Sequence, residues 1–403
     1  MIVRDIRIVT ESGVTKVLGT IQWESRNQNP TEIFFAVDEE DAWRINANAD
    51  SFRIPSAVAA LKGGENRVTG EGAMCPALHD GLSSSLAWLN RWFEYGGPPA
   101  IDVSLGCTHA QPSGKGSAAV FVSGGVDSSA VLAANHTHYK PEHPLRISIG
   151  IVVAGIQPRR WIRPTLNDQL AAARADVNRI GSGMDIDIVP VATNLRALDM
   201  GGSFWVREYQ GAALAGIGHL FSSTLSNLNI ASSGEIKYLD ELGSHPLLDP
   251  NYGNHSLRIW HGLAQVSRLR KTALLASYPE LLLSLNVCNK AEANDDNCGR
   301  CEKCLRTMLA LEALGVRGSS SFAGRSIRPR DLANIRILDR ATHGDYAELV
   351  KPLNAIGRTD LAGIIKWRIR LGRVARKQPI RTVRVAVSHT KKRAKKFVRR
   401  VRE

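Results

Sequence analysis

Residues Ala118-Ala119-Val120-Phe121-Val122 run directly into Ser123-Gly124-Gly125-Val126-Asp127-Ser128, and these into Ser129-Ala130-Val131-Leu132-Ala133-Ala134. An apolar β-type run, a glycine-rich turn and a helical pattern in immediate succession specify a strand–loop–helix unit. Glycines let backbone N–H groups approach an anion, and the N-terminus of the following helix adds about half a positive charge. Hydroxyls flank the turn at Ser123 and Ser128. Asp127 would repel a phosphate, so it reads as a magnesium ligand or a water-orienting group. The nearby Ser113-Gly114-Lys115-Gly116-Ser117 is not a kinase-type P-loop. His109 and Gly116 stand where that loop needs glycine and a hydroxyl residue.

Four of the six cysteines are spaced Cys288-x9-Cys298-x2-Cys301-x2-Cys304. Thiolates at this spacing on tight turns suit a closed tetrahedral zinc site of structural role. An iron–sulfur cluster would use the same ligands, and disulfides would require an oxidising compartment. Cys75 and Cys107 have no spaced partners and read as buried small side chains.

The Ser123–Ser128 loop resembles the S-G-G-x-D-S signature of the PP-loop (N-type) ATP pyrophosphatases. Followed by the four-cysteine pattern, it is similar to the 7-cyano-7-deazaguanine synthase branch of that superfamily. The resemblance covers about residues 116 to 316. It implies an α/β fold whose parallel-sheet core is PP-loop/HUP-like, with ATP, Mg2+ and structural Zn2+ as cofactors. In such a site Ser123, Gly124, Gly125, Val126, Ser128 and Ser129 would hold the pyrophosphate of ATP, Asp127 would support magnesium, and Gly155 would lie near the adenine. A substrate carboxylate or carbonyl oxygen attacks the α-phosphate and becomes adenylated, pyrophosphate leaves, and ammonia or an amine displaces AMP. Relatives place a basic residue from a late helix on the phosphates. Arg268 and Lys271, three apart on one helix face, suit that role, against the alternative of a solvated face. Cys288, Cys298, Cys301 and Cys304 would be the zinc ligands.

Two departures leave the acceptor open. More than 110 residues precede the loop, and a basic tail follows the core. A small-molecule, sugar or peptide acid could serve as acceptor, with the nitrogen donor drawn from solution or from a partner. A thiolation enzyme acting on tRNA or nucleobases is one alternative. A non-catalytic nucleotide-binding module tethered to membrane or nucleic acid is another.

The organisation expected is an N-terminal α+β module over 1–112, the core with its zinc site over 113–317, a helical segment over 318–365 and a basic tail over 366–403. In the first module, Ile6–Val9 and Ile33–Val37 read as strands, and a helix carries Leu86, Trp88, Leu89 and Trp92. Residue 2 is isoleucine and Cys75 lacks a glycine-flanked elbow, so the module does not read as a glutaminase. The core alternates strands (118–122, 146–153, 187–191, 228–231) with helices (164–180, 206–221), the pattern of a parallel sheet. Ligands bind beyond the carboxyl ends of such strands, which singles out Ser123–Ser128, Gly155, Asn194 and Ser232–Glu235. His245 and His261 read first as structural.

The net charge of +14 is concentrated at one end: residues 366–403 carry +15 and the rest of the chain −1. The body is therefore not itself a nucleic-acid surface. In the tail, Trp367, Ile369, Leu371, Phe397 and Val398 recur among cations, as in a basic amphipathic helix. An anionic membrane surface, nucleic acid, or no partner at all would each suit it. No run of 18 apolar residues and no secretory apolar segment is present, so the expected location is cytoplasmic, at most peripheral on the inner membrane face.

Overall fold

The computed structural model describes residues 1–106, 116–157, 161, 163–288, 297–337 and 339–377, with side chains of the last helix described through 371. Among these residues ten strands form one sheet: β1 (Ile2–Glu11), β2 (Val14–Gln22), β3 (Thr31–Asp38), β4 (Arg67–Gly70), β5 (Ala100–Asp102), β6 (Ser117–Phe121), β7 (Ile147–Ala154), β8 (Asp187–Thr193), β9 (Leu225–Ala231) and β10 (Arg258–Gly262). Their order is β10-β9-β6-β7-β8-β3-β2-β1-β4-β5. The five strands from β6 to β10 are mutually parallel, so their carboxyl ends share one edge.

The helices are α1 (Asp50–Gly63), α2 (Pro76–Phe93), α3 (Val126–His138), α4 (Leu166–Met184), α5 (Gln210–Leu220), α6 (Arg268–Leu274), α7 (Pro279–Leu283), α8 (Glu302–Ala313), α9 (Pro329–Asn334), α10 (Arg340–Ala355) and α11 (Thr359–Lys377). They cover both faces, which is why the central strands read as continuous apolar runs. On β6, Ala119 and Phe121 join the core beneath α1, α2 and α5, while Ala118, Val120 and Val122 join the core beneath α3, α4 and α8.

The boundary expected near residue 112 does not divide the sheet. The hairpin strands β1, β2 and β3 are antiparallel, and β3 pairs antiparallel with β8 through Phe35–Thr193 and Ala36–Ala192. Asn194 reinforces that seam: its Oδ1 accepts from Phe34 N at 2.8 Å and its Nδ2 donates to Glu32 O at 2.8 Å. The residue expected at a ligand thus has both ends of its amide engaged in joining the two halves.

The helix expected over 206–221 starts as a π-type turn, Trp205–Tyr209, and becomes α-helical only at Gln210. Residues 318–365 carry α9, α10 and the start of α11, separated by irregular chain, and α10 packs on α8 and α11. No helix among the described residues is long and apolar enough to cross a membrane. The decoy at 113–115, Cys107, and the tail from 378, with its anchors Phe397 and Val398, lie outside the described residues. Trp367 and Leu371 lie on α11 and are exposed.

Candidate functional site

The loop after β6 is built on Gly124, whose φ of +70° is a conformation that a side chain would strain. Gly125 returns to extended backbone and caps the 13-residue helix α3. The two flanking hydroxyls close the turn. Ser123 Oγ and Ser128 Oγ lie 3.1 Å apart, Gly125 N donates to Ser123 Oγ at 3.3 Å, and Ser128 Oγ donates to Gly125 O at 3.3 Å. The first N–H groups of α3 have no partners within the helix, so the turn presents donors and the positive end of a dipole. Ser129 Oγ is buried with no hydrogen-bond partner among the described residues. Val126 faces the core and is fully buried.

Asp127, in the first turn of α3, is gripped from α6. Arg268 Nη1 donates to its Oδ2 at 2.7 Å, and Lys271 Nζ lies 3.4 Å from its Oδ1. Lys271 also donates to Ser232 O at 2.6 Å, just past the end of β9. Only 1% of Lys271 and 8% of Arg268 is exposed, which excludes a solvated helix face. Burial pushes the Asp127 carboxyl up, but Arg268, Lys271 and Arg306 outweigh it and hold the group below its usual range. Ser267 caps α6 by accepting from Arg270 N at 3.3 Å and fixes α10 by donating to Glu348 Oε1 at 2.6 Å.

Three residues here escaped the sequence reading. Arg306, on α8, pairs with Asp345 of α10 at 2.6 Å and with Glu302 at 3.2 Å. Burial raises the Asp345 carboxyl to about 6, against the pull of Arg306 and Arg268. Lys303 is depressed by desolvation and by the repulsion of Arg268 and Arg306, with Asp127 acting the other way. The signal available was the i, i+3 spacing of Lys303 and Arg306 on the helix started by the cysteine motif. Asp345 lies in a segment with no motif.

The sulfur atoms of Cys288, Cys298, Cys301 and Cys304 all lie within 4.8 Å of one another, and none of the four is in a disulfide. Sγ of Cys288 is 3.9 Å from that of Cys301, and Sγ of Cys298 is 3.9 Å from that of Cys304. A tetrahedron of thiolates with metal–sulfur bonds of about 2.3 Å has edges of about 3.8 Å, so the set fits a four-coordinate metal ion such as zinc. It is far from the disulfide length of about 2.05 Å. Gly299, at φ +69°, turns the chain so that Arg300 N and Cys301 N point at Cys298 Sγ, at 3.5 and 3.4 Å. A hydrogen bond from the Cys304 thiol is the largest influence holding Cys301 down to about 4. Asn297, almost fully buried, ties the two arms together: it accepts from Val287 N at 2.8 Å and donates to Leu285 O at 2.7 Å and Ser321 Oγ at 3.1 Å.

The remaining candidates each make a structural contact. Gly155 has φ +92°, and a Cβ there would collide with the Thr193 carbonyl oxygen. Ser232 Oγ donates to Gly234 O at 2.8 Å, and Glu235 pairs with Lys237 at 2.7 Å. His261 Nδ1 contacts the fully buried Asp249 at 2.7 Å, and Ser244 Oγ donates to the same carboxylate at 2.7 Å. The His245 ring packs edge-on against Trp92, and burial lowers its pKa. No family model, curated protein or solved structure matches the chain.

Proposed function

We propose that the chain is an AMP-forming, carbon–nitrogen-bond-forming ligase of the PP-loop ATP pyrophosphatase type, similar to the 7-cyano-7-deazaguanine synthase branch. The observation that carries this reading is Asp127 held between Arg268 and Lys271 at the N-terminus of α3, directly behind a glycine turn. A carboxylate gripped by two cations beside a row of backbone donors is arranged for partner exchange. When a triphosphate enters, the cations turn to its oxygens, and Asp127 is released. Magnesium, when bound there by Asp127, would neutralise the charge that develops as the bond to pyrophosphate breaks.

In this scheme the acceptor's carboxylate or carbonyl oxygen attacks the α-phosphorus, the α–β bridging oxygen departs with pyrophosphate, and an acyl or imidoyl adenylate remains. Ammonia or an amine then attacks the activated carbon. It loses a proton and expels AMP. Ser123, Gly124, Gly125, Val126, Ser128 and Ser129 hold the departing pyrophosphate, while Arg268 and Lys271 stabilise its charge. Gly155, at the carboxyl end of β7, lets the adenine approach the backbone. Cys288, Cys298, Cys301 and Cys304 would hold zinc as a structural brace. Because the four thiols are gathered in one cluster, nitrogen transfer is favoured over sulfur transfer, which calls for a free reactive pair beside the nucleotide. The acceptor is a small-molecule, sugar or peptide acid, and the working location is the cytoplasm. There the 366–403 tail, with Trp367 and Leu371 exposed at its start, rests on an anionic membrane surface.

The test is pyrophosphate release from Mg·ATP with ammonia and a panel of acids (deazaguanine carboxylate, uronic acids, peptide termini), run beside Asp127→Ala. Release stimulated by one acid and lost in the variant supports the reading. ATP binding without release under any acid favours the tethered nucleotide-binding module. Absence of ATP binding sinks the reading of the loop.

A further inference from the structure

The cysteine cluster and the Ser123–Ser128 loop are distant in sequence but joined twice in space. On one arm, the backbone N–H of Asn286, two residues before Cys288, donates to Gly124 O at 2.8 Å. On the other arm, Lys303 stands between Cys301 and Cys304, and Arg306 follows two residues after Cys304. Helix α8, which carries Lys303 and Arg306, packs against α6, whose Arg268 and Lys271 hold Asp127. Arg306 is also anchored by Asp345 at 2.6 Å. Arg268, Lys271, Lys303 and Arg306 thus gather around three carboxylates, those of Asp127, Glu302 and Asp345. Of these four cations, Arg268 and Lys271 reach the first turn of α3 through Asp127.

The path from metal to anion is short. A metal bound by Cys301 and Cys304 fixes the chain on both sides of Lys303 and sets the first turn of α8, from which Arg306 projects. A metal bound by Cys288 would fix the segment whose Asn286 N–H donates to Gly124 O in the φ +70° turn. Without the metal, both arms are tied chiefly by Asn297.

We propose that metal occupancy of the cysteine cluster and polyphosphate occupancy of the Ser123–Ser128 loop are thermodynamically linked, with Lys303 and Arg306 as the polyphosphate-binding residues that carry the link. The inference rests on the loop being a polyphosphate site. It adds that the cluster is part of that site, so that each ligand tightens the other by the same factor.

The experiment uses the zinc-loaded full chain and follows zinc release to a chromogenic chelator. It is run with and without an ATP analogue carrying a methylene in place of the α,β-bridging oxygen. Magnesium in excess keeps the analogue from competing for zinc. Calorimetry on the same samples reports whether the analogue binds. The expected result is release about tenfold slower at saturating analogue, within the usual range of coupling between sites. In Lys303→Gln/Arg306→Gln the slowing falls to within about twofold while the analogue still binds, and Lys303→Arg retains most of it. Release unchanged by an analogue that calorimetry shows to be bound overturns the linkage but leaves the loop reading intact. Slowing that persists undiminished in the double variant overturns the assignment to Lys303 and Arg306. An analogue that does not bind overturns both the linkage and the loop reading.

Discussion

Arg53 and Arg268 are both buried arginines paired with an aspartate, and the rest of their surroundings separate a structural cation from a working one. Arg53, on α1, reaches Asp50 at 3.3 Å, and it also donates to the carbonyls of Gly70, Glu71, Gly72 and Ala73. Those carbonyls belong to the last residue of β4 and the three that follow it. Among the described residues Arg268 has one strong partner, the Asp127 carboxylate at 2.7 Å, and the Nε of both arginines is buried without one. The first guanidinium is locked by backbone and the second is held by a group that can be exchanged. The positions differ accordingly: Arg53 closes a loop in the α1-side core, while Arg268 lies at the carboxyl edge of the sheet.

The sharpest way to separate the two regions is to strip metal from the cysteine cluster. A structural zinc site of four thiolates contributes on the order of 10 kcal/mol, so chelation should loosen α8 and the residues around it. Hydrogen exchange should show amides of 297–314 losing protection while α1 stays protected. Equal loss in α1 would mean that the two regions fold as one unit and would break the comparison.

Arg53→Leu should come next in size. Removing one member of a buried pair takes the guanidinium away from Asp50 and from four carbonyls at once, at a cost of about 3–5 kcal/mol. Urea unfolding measures it, and the variant that remains folded should bind Mg·ATP as the parent does. Arg268→Gln should invert that pattern. Lys271 still faces Asp127, so the stability loss should be about 1–2 kcal/mol, while Mg·ATP affinity falls about 10–100-fold. If Arg268→Gln proves as destabilising as Arg53→Leu and leaves affinity untouched, Arg268 is structural as well.

What could be read in the sequence divides along the same line. The strand–loop–helix unit, the four cysteines and the Arg268/Lys271 pair were legible because each is a local pattern: a period, a spacing or a glycine at a turn. The continuity of the sheet was not. It depends on a seam of only two residue pairs between β3 and β8 and on the Asn194 clamp, and neither leaves a trace in composition. Strand β2 was missed because the apolar residues of Val14–Gln22 (Val14, Val17, Leu18 and Ile21) do not keep a period of two, although Asn27, Asn29 and Pro30 mark a turn after it. Arg306 and Asp345 were missed for a geometric reason. They sit 39 positions apart on α8 and α10, and only helix packing shows that they meet. The π-type turn before α5 could not be foretold, because the 206–221 pattern is compatible with an unbroken helix.

Asp345 offers the smallest and most specific test. Its carboxyl stands at about 6 in the folded chain, and burial is the main cause, only partly offset by Arg306. A carboxyl raised above its unfolded value of about 3.9 favours the folded state while protonated. That contribution is complete below pH 4 and is lost as pH rises through 6. The loss approaches about 3 kcal/mol at neutrality, because a tenfold change in proton affinity corresponds to about 1.4 kcal/mol. Asp127 has the opposite sign, since its lowered carboxyl contributes stability that is present above pH 4 and disappears only in stronger acid. Asp345→Asn should therefore flatten the stability profile between pH 4 and 7, measured by urea unfolding at half-unit steps, and leave the acid limb below pH 4 in place. An unchanged slope between pH 4 and 7 would mean that Arg306 keeps Asp345 ionised. The α8–α10 contact would then be an ion pair across that whole range, like that of Arg53.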